Sequence, residues 1–204
     1  YQNNNETSDI KTSLTNNKYN INVDTIAFKP ITALNQIYTY FNDPSNVYVS
    51  NNNITFDSNK CEIGGERKAY FGKNLSTGSD IVVKEYLHNQ NNLARYKTTV
   101  LTTLVSQYFA NQFNNTGVTS QSKLENFLKF NSNNGWQNSD EKCKTLEAFM
   151  HFSYKYSEQQ LVICDLQGDL WNYDYELTDA AINSQTGGLF GLTDMGLVGM
   201  QNVL

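Results

Sequence analysis

Residues 161–201 read LVICDLQGDLWNYDYELTDAAINSQTGGLFGLTDMGLVGMQ. The apolar run Leu161 to Cys164 has the length of a short buried strand and stops at an Asp165-Leu166-Gln167-Gly168 turn. A second acid closes Leu177-Thr178-Asp179, and a glycine-rich segment, Phe190 to Gly199, follows. Carboxylate and amide oxygens are hard donors that suit Mg²⁺, and glycines let backbone approach a ligand closely. The two acids can equally be read as turn residues after strands, a common position for Asp.

Basic residues of the matching kind lie upstream. Gly64-Gly65 leads into a basic strand beginning at Arg67, and two successive glycines can offer backbone N–H groups to phosphate. Ile81-Val82-Val83-Lys84 is a strand pattern ending in a mobile point charge. A plain turn and a solvated surface lysine account for the same residues when each is taken alone.

The 204 residues suit one domain with length enough for a core, and the net charge of −5 gives no footprint for nucleic acid. Apolar runs are too short for a transmembrane span. The chain starts at Tyr1 rather than Met, which reads as a fragment or a processed product. Cys61, Cys143 and Cys164 form no C-x-x-C pair and read as reduced thiols of an intracellular, cytoplasmic protein. Asn fills 29 positions, so Asn-x-Ser/Thr matches such as Asn53 and Asn74 arise by chance.

Residues 1–24 are polar and Asn-rich and read as a flexible arm that could dock on a partner. Residues 25–42 allow a short helix after Pro30. Strands are expected at Val47–Val49 and Ile54–Phe56 around an Asn51–Asn53 turn, then at Arg67–Phe71 and Ile81–Tyr86 around a turn at residues 74–79. The apolar stripe of residues 92–114 predicts the longest helix, and a second is expected from about Asn138 to Tyr154. A hairpin is expected around Trp171–Tyr175. Strands mixed with two long helices give an α+β domain of two lobes around a cleft.

These motifs together resemble the alpha-kinase family of atypical protein kinases. Gly64-Gly65-Glu66-Arg67-Lys68-Ala69-Tyr70, Val82-Val83-Lys84, Leu124 to Trp136, Ala148 to Tyr154, Asp165-Leu166-Gln167-Gly168, Leu177 to Ser184 and Phe190 to Gly199 carry the likeness in family order. The resemblance implies a two-lobed alpha-type kinase domain over residues 25–204, with an N-lobe over about 25–124, a C-lobe over about 125–204 and a nucleotide cleft between them. It implies ATP and Mg²⁺ as cofactors and a protein Ser or Thr as phosphoryl acceptor. Gly64, Gly65, Arg67 and Lys84 then meet the phosphates and Glu125 the adenine side. Asp165, Gln167 and Asp179 become metal-binding and catalytic residues, and Gly191, Asp194 and Gly196 form a loop beside the substrate.

The sequence also departs from the family pattern. Ala180 replaces a Pro, Asn183 replaces a His, and the segment around Lys129 is shortened. His151 matches one of four zinc ligands, the other three being expected just past Leu204. One His cannot hold structural zinc, so no tightly bound zinc is expected. These departures favour a rival reading, an inactive kinase-like scaffold or binding module, against the joint retention of Arg67, Lys84, Asp165, Gln167 and Asp179.

Overall fold

The computed structural model describes residues 18–88, 92–114, 127–171 and 174–204. Their backbone contacts divide into two compact units. One holds the described residues up to Lys29 together with Asp43–Asn92; the other holds Pro30–Asn42 and Leu93–Leu204.

The first unit is an antiparallel sheet in the order β1 (Lys18–Phe28), β2 (Val47–Ile63), β3 (Arg67–Asn74), β4 (Asp80–Tyr86). Alternation sorts its side chains onto two faces. Tyr19, Ile21, Ile54, Phe56, Tyr70, Ile81 and Val83 share the more apolar face, as the registers Tyr19↔Phe56, Phe56↔Gly72 and Tyr70↔Val83 require. Arg67, Ala69, Lys84 and Tyr86 share the opposite face. Gly72 sits where β2 passes so close that a Cβ would strike the Thr55 carbonyl.

Two local expectations fail in this sheet. Residues 18–24, read as part of a loose arm, belong to β1. Asn51–Asn53, read as a turn, lie mid-strand in β2 and pair with Asn22–Asp24. The reason is tertiary. A partner strand satisfies the backbone, and the amides find cross-strand acceptors: Asn51 Nδ2 donates to Asp24 Oδ1 at 3.1 Å, and Asn74 Nδ2 to Asn52 Oδ1 at 3.2 Å. Turn propensity yields to ladder pairing. The turn expected at residues 74–79 does form, with Asn74 Oδ1 accepting from Ser76 N–H at 2.9 Å.

In the second unit, α1 (Leu93–Asn114) buries Leu101, Leu104, Val105, Tyr108 and Phe109. It is rich in Thr, whose hydroxyls bond back to helix carbonyls, Thr98 to Arg95 at 2.8 Å and Thr102 to Thr98 at 2.9 Å. It groups with this unit rather than with the strands before it. Pro30–Asn42 forms tight 3₁₀ turns at Leu34–Gln36 and Tyr40–Asn42 in place of the expected helix.

The second helix, α2 (Lys144–Tyr156), starts later than expected, after a 3₁₀ turn at Glu141–Cys143. Phe113 of α1 meets Phe149 and Phe152 of α2 edge-on or tilted, with centroids 5.4 and 5.3 Å away. The remaining strands are β5 (Leu128–Lys129), β6 (Leu161–Cys164), β7 (Gln167–Trp171), β8 (Asp174–Thr178) and β9 (Ala181–Ser184). They form the ladders β5–β7–β8 and β6–β9, and α3 (Gly196–Val203) packs against β9. Val162, Ile163 and Cys164 are 0% exposed.

An unpaired strand edge would leave buried backbone groups without partners. Ser153 of α2 and Ser157, the residue that caps its C-terminus, cover the edge of β6. Ile163 N–H donates to Ser153 Oγ at 3.0 Å, and Leu161 N–H to Ser157 Oγ at 3.2 Å. Among the described residues, no helix is long and apolar enough to cross a membrane.

Candidate active site

The chain leaves β6 at Cys164, makes the β7–β8 hairpin, and returns to β9 at Ala181 opposite Cys164. Asp165 lies on the outward crossing between the two ladders and Asp179 on the return. Both have left-handed backbone, with φ of 56° and 53°. Asp is one of the few residues besides glycine that visits this region readily, and Glu158 and Gln159 share it in the turn after α2, so the backbone alone marks a tight turn that also suits a functional site. Gln167 sits beside the crossings, paired with Thr178, and its Nε2 donates to the Asp179 carbonyl at 3.4 Å.

Gly168 fixes the hairpin behind these residues. The two strands run so close there that a Cβ would collide with the Glu176 carbonyl.

Two contacts hold the Asp165 turn. Asn131, almost fully buried, accepts the Leu166 N–H at 2.7 Å through Oδ1 and points Nδ2 at Met150 Sδ, 3.0 Å away. Lys129 Nζ lies 2.8 Å from Asp165 Oδ1. That oxygen is buried, and no partner reaches it in hydrogen-bond geometry. The contact is therefore an ion pair off the hydrogen-bonding direction, not a saturated carboxylate. Neither Asn131 nor Lys129 stood out as a site residue in the sequence. Their adjacency in Lys129-Phe130-Asn131 was visible, but their role depends on β5 pairing with β7.

Asn183, at the departure from the family His, is 0% exposed. Its Oδ1 accepts from Met195 N–H at 2.8 Å, and its Nδ2 reaches the Asn133 carbonyl at 3.3 Å. Gly199 of α3 packs onto it so closely that a Cβ would come within 2.5 Å of its Cγ.

Asp194 is buried as well, and its two oxygens gather the glycine-rich loop. Oδ1 accepts from Ser184 N–H at 2.8 Å and Gly196 N–H at 3.1 Å; Oδ2 accepts from Ser184 Oγ–H at 2.6 Å and Phe190 N–H at 3.3 Å. Its carboxylate is therefore spent on organising the loop. Gly191 and Gly196 hold left-handed φ of 90° and 67° in that loop, and Leu192 at its tip is 87% exposed. The neighbouring Cys164 thiol is pushed up to about 12 by burial and, secondarily, by Asp165.

The other expected ligands lie on the sheet. Gly64 N–H donates to the Arg67 carbonyl at 2.9 Å, closing the β2–β3 turn. Neither Gly64 nor Gly65 has a left-handed φ, and a Cβ on Gly65 would meet nothing within 4 Å. The fold does not demand these glycines. Arg67 Cζ stands 5.6 Å from the Tyr86 ring centroid, and the register sets Lys84 opposite Ala69, on the face that Arg67 uses. Glu125 lies outside the described residues.

A profile of the Alpha-kinase family matches residues 62–125 and 117–203. The chain belongs to the alpha-kinase family. It is 35% identical over 74 residues to alpha-protein kinase vwkA of Dictyostelium discoideum, covering 36% of this chain and 12% of that protein. It is 38% identical over 76 residues to human eukaryotic elongation factor 2 kinase, covering 36% of this chain and 10% of that protein. The chain thus spans about a tenth of the length of these relatives.

Among solved structures, a novel alpha kinase from Entamoeba histolytica superposes with a TM-score of 0.78 at 24% identity, over 90% of this chain and 85% of that one. The apoenzyme alpha-kinase domain of myosin-II heavy chain kinase A gives 0.69 at 19% identity, over 94% and 92%. The structure of that domain with AMP gives 0.66 at 21% identity, over 76% and 86%. At these identities the superpositions show the fold.

Proposed function

We propose that this chain is an active protein kinase domain, transferring the γ-phosphoryl group of Mg-ATP to a Ser or Thr hydroxyl of a protein inside the cell. The observation that carries the reading is the convergence of Asp165, Gln167 and Asp179 at the junction of two ladders, with strained backbone at both acids. Phosphoryl transfer needs positioning and charge neutralisation more than covalent chemistry.

The roles follow from the chemistry of the side chains. Two carboxylates and an amide are a donor set that fits Mg²⁺, and an exposed Asp179 beside Gln167 suits it. The ion would neutralise charge on the phosphate oxygens. Asp165 orients the acceptor hydroxyl and takes its proton as the new O–P bond forms and the bond to the β–γ bridging oxygen breaks. Lys129 holds the Asp165 carboxylate in place. Lys84 and Arg67 bind phosphate oxygens, joined by the Gly65 N–H of the turn, the Gly64 N–H being taken by the Arg67 carbonyl. Glu125 serves the adenine side. The loop gathered by Asp194, with Gly191 and Gly196, meets the peptide. The polar N-terminal segment docks on a partner.

The AMP-bound structure of the myosin-II heavy chain kinase A domain supports nucleotide binding by this fold. A second reading, an inactive scaffold module, is favoured by Ala180 and by Asn183 wholly committed to internal packing. Incubation with labelled ATP, Mg²⁺ and a generic basic protein, with autophosphorylation also scored, separates the two. Transfer by the parent chain that vanishes in Asp165→Asn supports the kinase. Transfer no greater than that of Asp165→Asn, in a preparation that binds ATP, leaves the scaffold.

A further inference from the structure

The more apolar face of the β1–β4 sheet holds a feature that phosphate handling does not use. Tyr19 and Phe56 stack with centroids 5.6 Å apart and planes 21° apart, and Phe56 meets Tyr70 tilted by 47° at 5.4 Å. The three rings make one aromatic wall across three strands. Beside it, Glu85 accepts the Tyr70 phenol at 3.2 Å through Oε2. Tyr19, Phe56, Ser58, Tyr70, Val83 and Glu85 line a shallow, open cavity of about 410 Å³.

We propose that this cavity is a docking site for an arginine side chain of a peptide segment. The occupant follows from complementarity. An anionic carboxylate beside π faces selects a cation. The wall is a row of stacked and tilted rings rather than a closed box, which leaves ring faces and edges open to a flat guanidinium whose N–H fork meets a carboxylate. The Tyr70 phenol holds Glu85 by one oxygen and leaves the other for the ligand. The sheet uses the same chemistry elsewhere, with Lys29 Nζ 5.4 Å from the Tyr48 ring centroid and Arg67 over Tyr86.

Arg67 and Lys84 lie on the opposite face, so the site is separable from nucleotide binding. The test is a titration of the whole chain with acetyl-Gly-Arg-Gly-amide, followed by the Tyr19 and Tyr70 ring resonances. Saturable shifts are expected, with a weaker response to the lysine tripeptide. Glu85→Gln, which still accepts from Tyr70, should weaken the arginine peptide at least tenfold, about 1.4 kcal/mol, while leaving affinity for an ATP analogue unchanged. Phe56→Leu, which keeps an apolar residue in the ladder, should weaken it several-fold. No saturable shift, or equal affinity in parent and Glu85→Gln, overturns the site. Equal affinity for N-ethylguanidinium overturns the peptide assignment in favour of a small-molecule pocket, and self-association abolished by Glu85→Gln overturns it in favour of a second copy.

Discussion

The β1–β4 sheet and the β6–β9 ladder are built on opposite plans. In the sheet, most inward-facing side chains are only half-buried, and Tyr86 is the one strand residue that is fully buried among those described. In the ladder, every residue of β6 and β9 is buried, and even the unpaired edge of β6 is closed by serine hydroxyls. The contrast teaches where positional accuracy is held. Left-handed acids persist only where the surroundings over-determine them, and a fully packed ladder on one side with a glycine-closed hairpin on the other does that. A half-buried sheet suits groups that adapt to a ligand, such as Lys84 and the Gly64-Gly65 turn.

The largest effect tests what the rigid half does. Asn tolerates left-handed backbone at least as well as Asp, so Asp165→Asn keeps the fold and removes the proton acceptor. Phosphoryl transfer should fall by about 10²–10⁴-fold with the melting temperature nearly unmoved. Asp179→Asn should behave alike through lost metal binding. Ala is the poorer probe, because its strain at φ above 50° mixes destabilisation into the readout. Unchanged transfer in both variants would remove any catalytic meaning from the strain.

The next effect is on stability. Leu166→Ala, at a fully buried position between the two acids, should cost about 2–5 kcal/mol in chemical denaturation. Val83→Ala in the sheet should cost under about 1.5 kcal/mol, because less of that side chain leaves water on folding. Equal costs would erase the distinction between the two regions. Asp194→Ala strips four donors of their acceptor at once, and a loss of at least about 3 kcal/mol is expected.

A smaller change probes the adaptable half. Lys84→Ala should weaken an ATP analogue at least tenfold, about 1.4 kcal/mol, without shifting the unfolding midpoint. A midpoint shift as large as that of Leu166→Ala would make Lys84 structural instead. The finest test pairs two glycines. Gly168→Ala should fail to fold natively, because its Cβ has no room, whereas Gly65→Ala should fold normally and lose only nucleotide affinity. Normal affinity there would leave that glycine without a function.

Much of this protein was legible in one dimension because its cues were local. The 3.6-residue stripe of α1, the apolar run of β6 and the strands flanking residues 74–79 rest on neighbours a few positions away, and they emerged as expected. The spacing of Asp165, Gln167 and Asp179 marked the candidate site for the same reason. Lys129 and Asn131 stayed hidden, because their partners Asp165 and Leu166 lie more than thirty residues away and meet them only once β5 pairs with β7.

By itself, then, the sequence determined the family, the helix α1, the strands β3, β4 and β6, and the candidate acids Asp165 and Asp179. Only the tertiary structure decided that Asn51–Asn53 run straight through a strand, that α1 groups with the residues after it, and that Asp194 is consumed in holding its loop. It alone set Asp165 and Asp179 in left-handed backbone across one junction. Each of these depends on which distant backbone groups find one another. Long-range pairing supplies hydrogen bonds and burial that outweigh the turn, cap and helix preferences a residue carries alone.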